Sequence, residues 1–222
     1  MERAIAIDPH YGRALSWAAV CIRMLTINGW IEPPDAGRRR AVDFARRALQ
    51  VTDNDPGVRA NAAIVLAEFI EDIGVPMALV DRALALNPGD ARCWYASGVA
   101  RLWAGQPDLA ISHVETSLRL SPRERTGTSQ SRIGEAQFFQ RRFDEATSTL
   151  LLSIQENPGG PVAYRFLAAC YAHMERLDEA RAIVAQLRAI TPVVIPSAMP
   201  YRNPEQRELL LSGLRLAAGE VT

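Results

Sequence analysis

The chain has 222 residues, 48% hydrophobic and 23% charged, with 25 basic and 25 acidic side chains. That apolar share suffices for a sizeable core, while a formal net charge of zero gives no global attraction to nucleic acid or an anionic membrane. Every basic residue is arginine, which excludes lysine Schiff bases and the phosphate loop ending in Gly-Lys-Ser/Thr.

The N-terminal "MERAIAIDPH" mixes acid and base and has no long apolar run, so it does not read as a signal peptide. No stretch reaches the roughly 18 to 20 apolar residues that span a bilayer. Cys21, Cys93 and Cys170 are far apart and form no CxxC pair, which argues against a disulfide framework and suits a reducing compartment. A soluble, cytoplasmic protein is expected.

"ERAIAIDP" reads as a lone amphipathic helix and closely matches "DRALALNP" at 81–88. The first pair of helices is expected in "GRALSWAAVCIRML" and "AVDFARRALQVTD", joined by the long loop "TINGWIEPPDAGRRR"; Asp53 stands where later units have proline. A second pair runs between Pro56 and Pro88. From there a period is explicit: Pro88 to Pro122 is 34 residues, Pro122 to Pro158 is 36, and Pro158 to Pro192 is 34. The two extra residues of the middle interval fall to the loop "RERTGTS".

Each interval repeats one order: an Ala-rich helix, a short turn, an amphipathic helix, a proline. The turns are "WAGQPDLA", "QRRFDEA" and "MERLDEA". Ala110, Ala146 and Ala180 each precede a larger apolar residue by four, namely Val114, Leu150 and Val184. That spacing puts small and large on one helix face, so a neighbouring helix can interlock closely. Asp108, Asp144 and Asp178 open the second helices and are expected to cap free N–H groups or meet the positive end of the dipole. The closing proline cannot continue a helix.

After Pro192 the pattern changes. "VVIPSAMPYR" is Pro-rich and expected to be extended. "NPEQRELLLSGLRLAAG" is a helix with Asn203 as N-cap, Pro204 at the first position and Gln206 where a capping box wants Glu or Gln. Leu210, Leu214 and Ala217 form its apolar stripe, suited to covering the open face of a last repeat.

Little of the chain offers chemistry. His10, His113 and His173 have no zinc-ligand spacing, so no metal or other cofactor is expected. The paired acids at 144–145 and 178–179 sit at helix starts, and Gly159-Gly160 follows no strand, so neither a general acid/base pair nor a phosphate cradle is expected. No catalytic residue is assigned. The arginines at 38–40 and 46–47 read first as a solvated face balanced by nearby acids, with an anionic partner surface as the alternative.

The 34-residue order resembles the tetratricopeptide repeat (TPR) family, whose pattern is W-x₂-L-G-x₂-Y…A-x₃-F…P. Trp94, Gly98, Ala110 and Pro122 fit one unit, Ile133, Gly134, Ala146, Leu150 and Pro158 the next, and Tyr164, Leu167, Ala168, Tyr171, Ala180, Val184 and Pro192 the last. The resemblance covers about 12–192. It implies an all-α fold, a right-handed α-solenoid of about five repeats. The units are a half repeat at 1–11, then 12–55, 56–88, 89–122, 123–158 and 159–192, with 193–222 as linker and capping helix. In this family the first helix of each pair lines a concave groove. Carried over, the groove candidates are Arg92, Tyr95, Trp103, Ser131, Glu135, Phe138, Arg165 and His173, with packing between repeats as the alternative for Trp103, Phe138 and Phe139.

The implied function is a non-catalytic protein-interaction scaffold that binds a peptide, a partner domain or another copy of itself, with no role for nucleic acid or membrane. The tail, with "RAIAIDP", "WAGQPDLAI" and "LRLSP", also looks like the C-terminal repeats of bacterial regulators, where such an array follows a class III nucleotide cyclase or a winged-helix domain. The alternative function is therefore regulation of an upstream domain. A chain that starts mid-repeat suits a piece of a longer protein; a lone capping helix after a true start is the other reading.

Overall fold

A computed structural model describes residues 2–219 apart from 32, 53, 71, 123–126 and 197–198. Asp53 and most of the "RERTGTS" loop thus lie outside the described residues. Among the described residues all regular structure is helical: α1 (Glu2–Ile7), α2 (Gly12–Ile27), α3 (Pro34–Val51), α4 (Pro56–Phe69), α5 (Gly74–Leu86), α6 (Ala91–Trp103), α7 (Pro107–Leu120), α8 (Gly127–Phe139), α9 (Phe143–Glu156), α10 (Pro161–His173), α11 (Leu177–Ile190) and α12 (Pro204–Ala218). The chain forms two compact units, Met1–Ala100 and Arg101–Thr222, with the boundary inside α6.

In the first unit α2 packs on α3, α4 on α5, and α2 on α4. Ala19, Ala41, Ala45 and Ala62 are fully buried with Ile22, Val65 and Leu66. Alanine at the contacts lets the axes approach closely, and the branched residues fill the space between. In the second unit α8 pairs with α9, α10 with α11, and α8 also touches α10. Gly134 is a tight point of the α8–α9 pair. A Cβ placed there would meet Leu150 Cδ2 at 2.7 Å.

One turn recurs between paired helices. Gly29, Gly105, Arg141 and Glu175 all take positive φ, at 74°, 86°, 60° and 61°. In each, one N–H bonds back three residues and the next bonds back five, for example Arg141 N to Phe138 O at 2.9 Å and Arg142 N to Gln137 O at 3.0 Å. This is the Schellman arrangement, which satisfies the last free carbonyls of the first helix. After Gly105, Arg141 and Glu175 the next helix starts two residues on, at Pro107, Phe143 and Leu177. The expectation that Asp108, Asp144 and Asp178 cap these helices is corrected by their place one residue inside the first turn. The N-cap positions are Gln106, Arg142 and Arg176, without side-chain cap bonds. The aspartates therefore act on the dipole, and Asp108 also accepts from Gln140 Nε2 at 2.7 Å.

The closing prolines each follow a C-cap residue: Asn87, Ser121, Asn157 and Thr191. Two of these corners are tied by an aromatic side chain six residues on. Trp94 Nε1 donates to Pro88 O at 2.8 Å, and Tyr164 Oη donates to Pro158 O at 3.0 Å. Trp94 is thus a corner tie.

Beyond α11 the chain runs without helix or strand through its described residues to Asn203. Asn203 Oδ1 then accepts from Glu205 N at 2.9 Å and caps α12. Gln206 does not complete a capping box through Oε1, which is buried without a hydrogen bond. Helix α12 packs on α10 and α11. Gly213 makes the contact with α10: an added Cβ would meet Ala169 Cβ and His173 Nε2, both at 2.8 Å.

Candidate protein-interaction site

In the first unit the first helices α2, α4 and α6 bring together one cluster. The Arg92 guanidinium lies 5.1 Å from the Trp17 ring centroid and 5.4 Å from that of Tyr95. Its Nε donates to Asn61 Oδ1 at 2.8 Å, and Asn61 Nδ2 donates to Ser16 Oγ at 3.3 Å. Burial works against the Arg92 charge, partly offset by Tyr95. Cation–π contact with two rings holds the guanidinium in place. Trp17 is 41% exposed and gives this cluster a solvent-facing apolar edge. Nearby, Arg23 on α2 pairs with Glu68 on α4 at 2.7 Å, both largely buried. Arg92 and Tyr95 are candidates from sequence. Trp17 and Asn61 are not; they become visible only when α2 and α4 are laid beside α6.

Of the groove candidates in the second unit, Trp103, Ser131, Glu135, Phe138 and Arg165 are buried and His173 is half-buried. Trp103 is 1% exposed, Phe138 0% and Arg165 6%. Part of the burial comes from helix packing, as Phe138 meets Phe143 and Phe166 edgewise or tilted. Another part comes from the segment after α11. Arg165 Nη2 donates to Val193 O at 2.6 Å and Nε to Val194 O at 3.2 Å. Desolvation brings the Arg165 guanidinium down to about 10. The Tyr201 ring packs edgewise on Phe139 and Phe166, with centroids 4.8 and 6.0 Å away.

Glu135 is the centre of this face and has no exposed surface. Its carboxylate accepts from Arg132 Nη1 at 2.8 and 2.9 Å, from Ser131 Oγ at 3.0 Å and from Tyr201 Oη at 2.8 Å. Burial pushes the carboxyl upward, and the Arg132, Tyr201 and Ser131 contacts oppose that shift. Arg132 also lies 5.7 Å from the Trp103 ring centroid. Further along, Arg202 N donates to Trp103 O at 2.8 Å. His173 bonds through Nε2 to Leu209 O at 2.8 Å and stacks on Phe143.

Other candidate features resolve simply. Among the described residues no group of His, Cys, Asp or Glu is placed to hold a metal, and no helix is long and apolar enough to cross a membrane. Cys93 and Cys170 are buried, with burial pushing both thiols up to about 12, whereas Cys21 is exposed. On the arginine-rich helix, Arg47 pairs with Asp43 at 3.6 Å.

Residues 137–194 match the tetratricopeptide repeat family model. Superkiller complex protein 3 of Mus musculus is 24% identical over 190 residues, which is 85% of this chain but 11% of that protein. Among solved structures, TTC0263, a thermophilic TPR protein of Thermus thermophilus, superposes with a TM-score of 0.66 at 18% identity, covering 91% of this chain and 98% of that one. The APC/C hetero-tetramer Cut9-Hcn1 also gives 0.66, at 16% identity, covering 96% of this chain and 38% of that one. YrrB, described as a TPR protein with an unusual peptide-binding site, gives 0.50 at 18% identity, covering 86% and 92%. The fold is that of an all-helical TPR solenoid, and within it residues 137–194 carry the match to the tetratricopeptide repeat model.

Proposed function

We propose that this protein is a non-catalytic interaction scaffold that binds a peptide or partner domain on the faces of its first helices. The observation that carries the reading is the Arg92 cluster. A cation in contact with the Trp17 and Tyr95 rings, with the Trp17 indole itself exposed, offers a fixed charge and flat apolar surface together. Arginine and tryptophan are among the residue types that dominate binding energy at protein interfaces. Similar solved proteins include one described as having a peptide-binding site and one solved within a hetero-tetramer. A reducing, cytoplasmic setting suits the three free thiols.

The test is a peptide library presented to the full chain and to its Trp17→Ala and Arg92→Ala variants. Peptides that bind the parent and lose at least about tenfold with either variant support the reading, since a truncated hot spot costs about 2 kcal/mol or more, roughly thirtyfold. Peptides that bind all three equally exclude this face.

A second reading, regulation of an attached signalling domain, is favoured by the covered face of the second unit. A scaffold whose recognition surface is already occupied suits a switched role better than a constitutive one.

A further inference from the structure

We propose that the face of α8 and α10 is a recognition site for an extended segment carrying a tyrosine, and that the chain's own residues 193–196 and 199–203 are its resident occupant. A partner segment of the same chemistry would displace this strap. The inference rests on the scaffold reading above and assigns its second unit a ligand class and a regulation.

Three kinds of contact hold the strap, and they divide as peptide recognition divides. The first kind is to backbone and is indifferent to sequence: Arg165 bonds the carbonyls of Val193 and Val194, and Trp103 O accepts the Arg202 N–H. The second is one specific side-chain anchor. Tyr201 is 4% exposed, its hydroxyl bonded to Glu135 and its ring against Phe139 and Phe166. The third is steric: Gly105, with positive φ, lies so close that an added Cβ would meet Asn203 Cβ at 3.3 Å. Main-chain bonds supply general affinity, and a pocket for one side chain supplies selection.

A purely structural cover would not need this chemistry. Helix α12 already covers α10 through Ala169 and Gly213. A fully buried carboxylate with its arginine is weak evidence for stability, because desolvation offsets much of the attraction. Glu135 and Arg165 instead fix where the tyrosine and the carbonyls must lie. The strap around them is held lightly. Val193, Val194, Ile195, Pro196, Met199 and Pro200 are only half-buried, and the segment has no helix or strand bonds of its own. Segments with few buried contacts open at low cost, independently of the global fold.

The closing experiment uses a fluorescent synthetic peptide of residues 191–204 and the full-length chain. The tethered strap competes at an effective concentration in the millimolar range, so the parent protein should bind the free peptide weakly. Tyr201→Ala in the full chain weakens the tethered competitor and should tighten peptide binding by about tenfold or more, the factor by which the open fraction rises. Adding Arg165→Ala to that variant should abolish the gain, as should replacing the peptide's tyrosine by alanine. A folded Tyr201→Ala protein that does not bind the peptide overturns the proposal, and so does binding that ignores Arg165. If Tyr201→Ala does not fold, amide exchange on the parent decides: the Arg202 N–H should exchange faster than the α10 amides, and exchange of both only on global unfolding makes the strap permanent. A dimer with exchanged straps, detected by light scattering, would assign the site to a second copy and overturn the partner-peptide form. Library peptides lost on Trp17→Ala but unaffected by Tyr201→Ala leave the scaffold reading standing while this one fails.

Discussion

Tyr201 Oη donates to Glu135 Oε2 at 2.8 Å across 66 residues of chain, joining the segment after the last helix pair to the middle of α8. Both residues are buried, so the bond is made away from water. Tyr201→Phe keeps the ring but leaves a buried acceptor one bond short, which costs about 1–3 kcal/mol. Urea unfolding should show a loss of stability of about that size. An unchanged midpoint would mean that the hydroxyl is not bonded to Glu135 in solution.

Gly134 sets the separation of α8 and α9. Alanine gains about 1 kcal/mol in helix propensity over glycine. Here its methyl would meet Leu150, which is fully buried and has nowhere to move. Overpacking of that kind costs about 1–3 kcal/mol, so Gly134→Ala should destabilise the protein. A higher melting temperature in this variant would refute the close contact.

Arg141 and Glu175 occupy the turn position that Gly29 and Gly105 fill elsewhere, with φ near 60°. The left-handed conformation costs a residue with a Cβ about 1–2 kcal/mol. Arg141→Gly removes that strain without disturbing a buried contact, since Arg141 is exposed. Its thermal midpoint should rise by a few degrees. A fall would show that the arginine side chain contributes more than its backbone costs.

Asp55 caps α4 by accepting from Val58 N at 3.1 Å and receives Arg13 Nε at 2.6 Å. Burial would raise its carboxyl, but the Arg13 bond and the Val58 and Gly57 amides outweigh that and hold it below the usual range. A depressed acid stabilises the fold above its unfolded value, about 3.9, and loses that contribution as pH falls through the folded one. Asp55→Asn keeps the cap but cannot titrate. Its stability should therefore fall less steeply than the parent's below about pH 4 to 5. Parallel acid limbs in chemical denaturation would exclude the Arg13 contribution.

The three cysteines should separate by reactivity. Cys21 is exposed, while Cys93 and Cys170 are buried with thiols pushed up to about 12. The thiolate is the reactive form. A disulfide reagent should titrate one thiol quickly in the native protein and all three in denaturant. Two fast native thiols would place one of the buried pair at the surface.

The local frame is written in short-range patterns. Proline spacing, small-then-large apolar pairs and the Asn203 cap act within one or two turns of helix, so the helices and the family resemblance are legible from neighbours in the chain. The recurring turn was partly legible: glycine marks it at Gly105, but nothing marks Arg141 or Glu175, because an L residue enters positive φ only when the flanking helices enforce it. Which side chains meet depends on how distant helices pack. Arg92 and Tyr95 are in view from sequence, but Trp17 and Asn61 come from helices far away along the chain. The family resemblance makes Arg165 and Glu135 groove candidates, yet the atoms that meet them belong to Val193, Val194 and Tyr201 of the same chain. No periodicity encodes that contact, since an extended segment carries no repeat of its own and its position follows from the shape and charge of the surface it lies on.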